Sequence, residues 1–233
     1  MDMRADTTFT SGGKSIPAEL SRPAGASNGG VIVIAYGSDG FVDNEHGAWA
    51  TMIRQYASDL AGEGFHVLVP DYFARTDTQA GDVDFQNGGA GQIWLHRDDW
   101  QFALGDAVDH ARALPGVDPA RTGLLGFSLG GHLCLRLRAK ARVLVEFFAP
   151  LLDGVGAAGS PDLRAQIHGR ADTLVPLSDN ATRIEQQLRA AGALTECWDY
   201  DGATHGFPGA DAANSKARAL SRTRTIAFFR EHL

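Results

Sequence analysis

The sequence predicts an α/β protein built on a mostly parallel, doubly wound sheet, entered through an antiparallel hairpin near the N-terminus. Three observations carry this reading. Short apolar, β-branched runs alternate with segments of helical period. The runs are apolar throughout instead of alternating, which is the pattern of strands covered on both faces by crossover helices. The first two strand-like runs are separated only by Ser11-Gly12-Gly13, a step suited to positive φ.

In order, residues 7–10 and 14–20 form the expected hairpin. Strand 31–36 is followed by helix 49–61, strand 65–70 by helix 93–114, and strand 122–127 by helix 129–140. Strands 143–149 and 165–168, helix 177–191, strand 194–200 and a last helix over 212–232 complete the series. Residues 74–91 break the regularity. They are rich in Asp, Gly and Gln, and a segment of that length after a strand C-terminus reads as a mobile active-site loop. No repeat and no Pro/Ser-rich linker divides the chain, so one domain over residues 1–233 is expected.

Composition narrows the partners. With 21 Lys and Arg against 28 Asp and Glu, the net charge is −7, and no basic run offers a footprint for nucleic acid or an anionic membrane. The apolar stretches are too short for a bilayer span, and the first ten residues carry charges where a signal peptide is apolar. A cytoplasmic protein, monomeric or a small homo-oligomer, is expected. The 2 cysteines, Cys134 and Cys197, form no C-x-x-C pair, and the 8 His lack clustered zinc spacing. No metal and no cofactor is inferred.

Gly126-Phe127-Ser128-Leu129-Gly130 matches G-x-S-x-G, the sharp strand-to-helix turn that lifts a serine above a sheet edge. With 28 Gly in 233 residues, chance alone yields about 0.15 such pentapeptides. The strand before it and the helix after it supply the setting that the motif needs. A serine needs a base to take its proton, and the base needs an acid to fix its tautomer. Downstream, Asp172 follows the strand 165–168, and His205 follows the strand 194–200. The order Ser, Asp, His is that of α/β-hydrolases. Asp172 has the alternative role of capping the helix after Pro176, and His205 that of a polar loop residue. His168 is a second candidate base, and His132 reads as a packed side chain.

These residues make the chain resemble the dienelactone hydrolase family of α/β-hydrolases along most of its length. The strand 31–35 with its loop to Gly40 resembles the family's oxyanion strand. Val69-Pro70-Asp71-Tyr72-Phe73-Ala74-Arg75 is similar to its P-D-L-Y-A-R segment, and residues 126–131 to its G-Y-C-L-G-G elbow. Residues 169–176 and His205-Gly206-Phe207 complete the match. The chain departs from the founding members at three places: Ser128 replaces their cysteine nucleophile, Gly37 their activating glutamate, and Gly209 the second of two substrate-binding arginines. Losing the glutamate together with the cysteine suits a serine enzyme, because a thiol must become a thiolate whereas a serine is deprotonated only during attack.

The resemblance implies an α/β-hydrolase fold and cleavage of an ester or lactone bond in a small substrate through an acyl-enzyme on Ser128. His205 is then base and acid, Asp172 orients it, and backbone N–H groups of Leu129 and Ser38 form the oxyanion hole. Arg75, Gly37 and Phe207 are the expected substrate contacts, with Arg75 selecting a carboxylate. Competing readings are a thioesterase or acyl transferase using the same triad, or a non-catalytic binding protein on the same fold.

Overall fold

The computed structural model describes residues 3–83, 90–157 and 163–233. β1 (Met3–Ser11) and β2 (Lys14–Arg22) pair antiparallel across the Gly12-Gly13 turn, from Met3↔Arg22 to Ser11↔Lys14. After β3 (Val31–Ala35) comes a short pair, β4 (Asp43–Asn44) and β5 (Gly47–Ala48), then α1 (Trp49–Gly62), β6 (His66–Pro70) and a 3-10 turn over Tyr72–Thr76. The chain continues through α2 (Ala90–Arg112), β7 (Thr122–Phe127), α3 (Leu129–Arg136) and β8 (Val143–Phe147). β9 (Leu163–Gly169), α4 (Ala181–Ala190), β10 (Leu194–Tyr200) and α5 (Ala212–His232) follow.

Eight strands form one sheet in the order β1-β2-β6-β3-β7-β8-β9-β10. β1, β2 and β6 are joined antiparallel, and every pairing from β6 to β10 is parallel. β3, β6, β7 and β8 are buried at every residue, as strands covered on both faces must be. The alternation along β7 shows the two layers. Gly123 lies against Phe229 of α5 and Phe127 against Tyr56 of α1, whereas Gly126, on the other face, lies against the first turn of α3. This is the α/β-hydrolase fold with its N-terminal hairpin.

Two of the helix boundaries that differ from expectation do so for local reasons. The helix expected to reach residue 140 stops at Arg136, where the N–H of Leu137 is shared between the carbonyls of Leu133 (3.2 Å) and Cys134 (3.0 Å) and the chain tightens into a 3-10 turn over Arg138–Lys140. The helix expected from residue 177 starts at Ala181, because Pro176 O first accepts the backbone N–H groups of Asp179 and Asn180. Strands β4 and β5 are too short to leave a periodic trace in sequence. Of the expected loop 74–91, residues 84–89 lie outside the described residues. No helix among the described residues is long and apolar enough to cross a membrane.

Candidate active site

Ser128 sits between β7 and α3 with φ 51° and ψ −117°, a conformation that non-glycine residues rarely adopt. The surroundings over-determine it. A Cβ on Gly130 would lie 2.3 Å from the carbonyl oxygens of Ala35 and Tyr36, and one on Gly126 would lie 2.5 Å from Gly130 O. Only glycine lets α3 begin this close to β3 and β7. Ser128 N–H donates to Phe147 O (2.9 Å), and Ser128 O accepts from His132 N–H (3.1 Å), so the strained residue is anchored on both sides.

The loops after β9 and β10 are fastened to each other. Arg170 N–H donates to Tyr200 O (2.9 Å) and Ala171 N–H to Ala203 O (3.0 Å). Asp172, its side chain fully buried, accepts from the backbone N–H groups of Leu174 (3.0 Å) and Val175 (2.8 Å) through Oδ1. Its Oδ2 lies 2.7 Å from His205 Nδ1, and His205 Nε2 lies 3.1 Å from Ser128 Oγ. The imidazole therefore bridges a hydroxyl and a carboxylate supplied by three separate loops. With Nδ1 protonated toward Asp172, Nε2 is left free to accept the serine proton. That arrangement can turn a hydroxyl into a nucleophile and return the proton to a leaving group.

Several residues that frame this relay carry no signal in the sequence. Phe148, at φ 42°, lays its ring 4.7 Å from that of His205 and is held by its N–H to Ile167 O (2.7 Å). Asn214 of α5 accepts the N–H of Thr204 (2.9 Å), next to His205, and is itself clasped by Asp211, the N-cap of α5. Behind Asp172, the fully buried His168 places Nε2 2.7 Å from Val175 O and 3.5 Å from Asp172 Oδ2. A carbonyl only accepts, so Nε2 carries the proton. Burial holds the pKa of His168 below the ordinary histidine value, which keeps the ring neutral beside the carboxylate, its one N–H spent on Val175 O. His132 is buried with Nε2 3.3 Å from Asp153, its pKa depressed to about 4 by burial.

Ser128 and His205 open on a small cavity of about 50 Å³, whose wall includes Gly37, Ser38, Met52, Phe148 and Leu174. Gly37 stands directly over the serine; a Cβ there would lie 3.4 Å from Ser128 Cβ. Leu129 opens α3, so its N–H has no partner one turn back in the helix, and Ser38 lies on the opposite wall. The loop bearing Gly37 and Ser38 hangs from Tyr36. Tyr36 Oη donates to Asp71 (2.7 Å) and accepts from Phe73 N–H (3.1 Å), and burial raises its pKa well above the ordinary phenol value.

Two expected substrate contacts lie outside the cavity of Ser128. Arg75 turns away from the cavity and packs beneath the hairpin turn, donating to Ser11 Oγ (2.6 Å) and Asp99 Oδ1 (3.0 Å), with Asp106 at 3.9 Å. Asp99 and Asp106 lie seven residues apart on one face of α2, and this acidic face draws the guanidinium. The nearer acids of the sequence are engaged by others: Asp71 by Tyr36, and Asp77 by Lys14 (2.6 Å). Phe207 is a core residue, 2% exposed, packed between Phe148 and Tyr200. Its ring borders a neighbouring pocket and not the cavity of Ser128. Among the described residues, no group of three or more His, Cys, Asp or Glu is arranged to hold a metal ion.

The Dienelactone hydrolase family model matches residues 16–233. No curated protein matches the chain. Among solved structures, a dienelactone hydrolase-like promiscuous phosphotriesterase from metagenomic libraries superposes with a TM-score of 0.78 at 22% identity, covering 99% of this chain and 98% of that one. A dienelactone hydrolase from Anabaena variabilis gives 0.68 at 18% identity, with 100% and 99% covered. A thermophilic esterase from Thermogutta terrifontis gives 0.66 at 21%, with 96% and 91% covered. At these identities the likeness to the solved structures is one of fold.

Proposed function

The chain belongs to the dienelactone hydrolase family, and from that premise we propose that it is a serine hydrolase cleaving the ester or lactone bond of a small substrate through an acyl-enzyme on Ser128. The observation that carries the proposal is the continuous relay from Ser128 Oγ through His205 to Asp172, at 3.1 and 2.7 Å. In it, His205 Nε2 takes the hydroxyl proton as Oγ attacks the carbonyl carbon. The N–H groups of Leu129 and Ser38 receive the developing oxyanion. Collapse breaks the acyl C–O bond, and the leaving oxygen takes the proton from His205. A water molecule, deprotonated by the same imidazole, then attacks the acyl carbon; the bond to Ser128 Oγ breaks, Oγ takes back the proton, and the acid leaves. Asp172, itself fixed by two backbone N–H groups, accepts from the His205 ring and holds it in orientation.

Arg75 does not enter this mechanism, so no anion preference is assigned to it. The test is labelling with a fluorophosphonate, followed by a panel of aryl esters and five- and six-membered lactones. A label on Ser128, with ester turnover that disappears in Ser128→Ala, supports the reading. A label on another serine, or full activity in the alanine variant, overturns it.

A further inference from the structure

The cavity at Ser128, about 50 Å³, admits only a few water-sized groups and cannot hold a whole ester of ordinary size. Beside it lies a pocket of about 730 Å³, well within the range that encloses small ligands. The two share Trp49, Met52, Phe148 and Gly206 in their walls, so they are neighbouring rooms of one cleft. Trp49, the first residue of α1, is the largest of the shared side chains. Its ring is slotted between two glycines: a Cβ on Gly47 would lie 2.6 Å from it, and one on Gly206 2.5 Å. Its indole N–H has no hydrogen-bond partner among the described residues.

The side on which the large pocket lies identifies what it would hold. Gly206, Phe207 and Gly209, all just after His205, line it, whereas Gly37 and Ser38 of the oxyanion side do not. His205 delivers its proton to the leaving oxygen, so the leaving group must stand on the His205 side. Buried aromatic residues, Tyr56, Phe147 and Phe148, form the inner part of the wall, and polar residues such as Asn44, Thr51 and Gln55 complete it. The guanidinium groups at its rim are already engaged: Arg222 with Asp59, and Arg218 with Phe207 O and Ser215 Oγ.

We propose that the 730 Å³ pocket is the subsite for an apolar, aromatic alcohol portion of the ester, and that Trp49 is the partition that sets how large this portion can be. The inference rests on the serine hydrolase reading above and deepens it. During turnover the acyl C–O bond breaks, the electron pair stays on the aryloxy oxygen, and that oxygen takes the proton from His205 as the phenol departs into the pocket.

The experiment compares phenyl acetate with biphenyl-4-yl acetate, whose phenols are of similar acidity, and adds phenyl hexanoate to vary the acyl side. Ala219→Trp narrows the pocket from the surface of α5, and Trp49→Ala removes the partition. The biphenylyl-to-phenyl ratio of kcat/KM is expected to fall about tenfold in Ala219→Trp and to rise by a similar factor in Trp49→Ala. An unchanged ratio in both variants overturns the proposal. A change confined to the hexanoate-to-acetate ratio overturns the leaving-group assignment. Phenyl acetate turnover by the parent, abolished in Ser128→Ala, checks the underlying reading separately from either ratio. Should Ala219→Trp fail to fold, Trp49→Ala decides alone.

Discussion

His205 and Arg75 each follow the carboxyl end of a β-strand, and each holds side-chain partners far away in sequence. His205 meets Asp172 and Ser128 and still faces a cavity. Arg75 meets Ser11 and Asp99 and is sealed beneath the β1–β2 turn, where a Cβ on Gly12 would lie 2.5 Å from its guanidinium. The parallel sheet gathers backbone at one edge but does not aim side chains. Aim comes from the partners: His205 is drawn inward by a carboxylate that its own neighbouring loop buries, and Arg75 outward by the acidic face of α2.

The contrast is broken most forcefully at the relay. Ser128→Ala and Asp172→Asn are each expected to lower kcat by about 10⁴ or more, the second by misorienting the imidazole, while circular dichroism and thermal melts show a folded protein. Ser128→Gly is expected to be equally inactive but to raise stability by ~1 kcal/mol, because glycine holds φ 51° without strain. An Asp172→Asn enzyme as fast as the parent would remove the histidine–carboxylate pair from the mechanism.

A second buried carboxyl sharpens the comparison. Asp172 has converging donors, whereas Glu146 of β8 has, among the described residues, only the N–H of Ala149 (2.9 Å), and burial raises its pKa from 4.5 to about 8. The folded state therefore keeps a proton that the unfolded chain gives up. The stability this provides is full below the ordinary glutamate range and is lost as pH rises toward 8. Glu146→Gln keeps the acceptor for Ala149 and cannot ionise. Its Tm relative to the parent is expected to climb by several degrees between pH 5 and pH 9, since ~1 kcal/mol moves Tm by roughly 2–4 °C in a chain of this size. A gap that stays constant with pH would mean that Glu146 is charged in the folded protein.

The smallest effect is expected at Arg75. Arg75→Ala should change kcat/KM for a neutral and a carboxylated ester by the same factor, within about twofold, because its partners are half-exposed acids outside the cavity. A selective loss with the carboxylated ester would return Arg75 to the substrate site.

The fold and the relay were legible because both rest on local signals. Apolar runs mark buried parallel strands, and the Ser128 motif and the two loops with Asp172 and His205 follow strands that the pattern already places. Phe148, Trp49 and Asn214 were not legible. Each acts through a contact across the fold, with His205, Gly206 and Thr204 respectively, and none has a spacing that announces it. Arg75 departs from expectation for the same reason, since the face of α2 that captures it is a property of the assembled layers.

The relay also has a history in time. Seventy-seven positions of chain separate Ser128 from His205, and the loops carrying Asp172 and His205 are brought to the serine by two further parallel pairings, β8 with β9 and β9 with β10. The sheet must also join β3 to β7, Val31 to Thr122, and so distant a pairing closes late, because it must first repay the entropy of a long loop. Helix formation runs far ahead of it on the clock. In refolding, hydrolytic activity should therefore be the last signal to return, trailing the far-ultraviolet spectrum. A chain still on its way to the native state carries the serine without its base and leaves surrounding esters untouched until the last strand has docked.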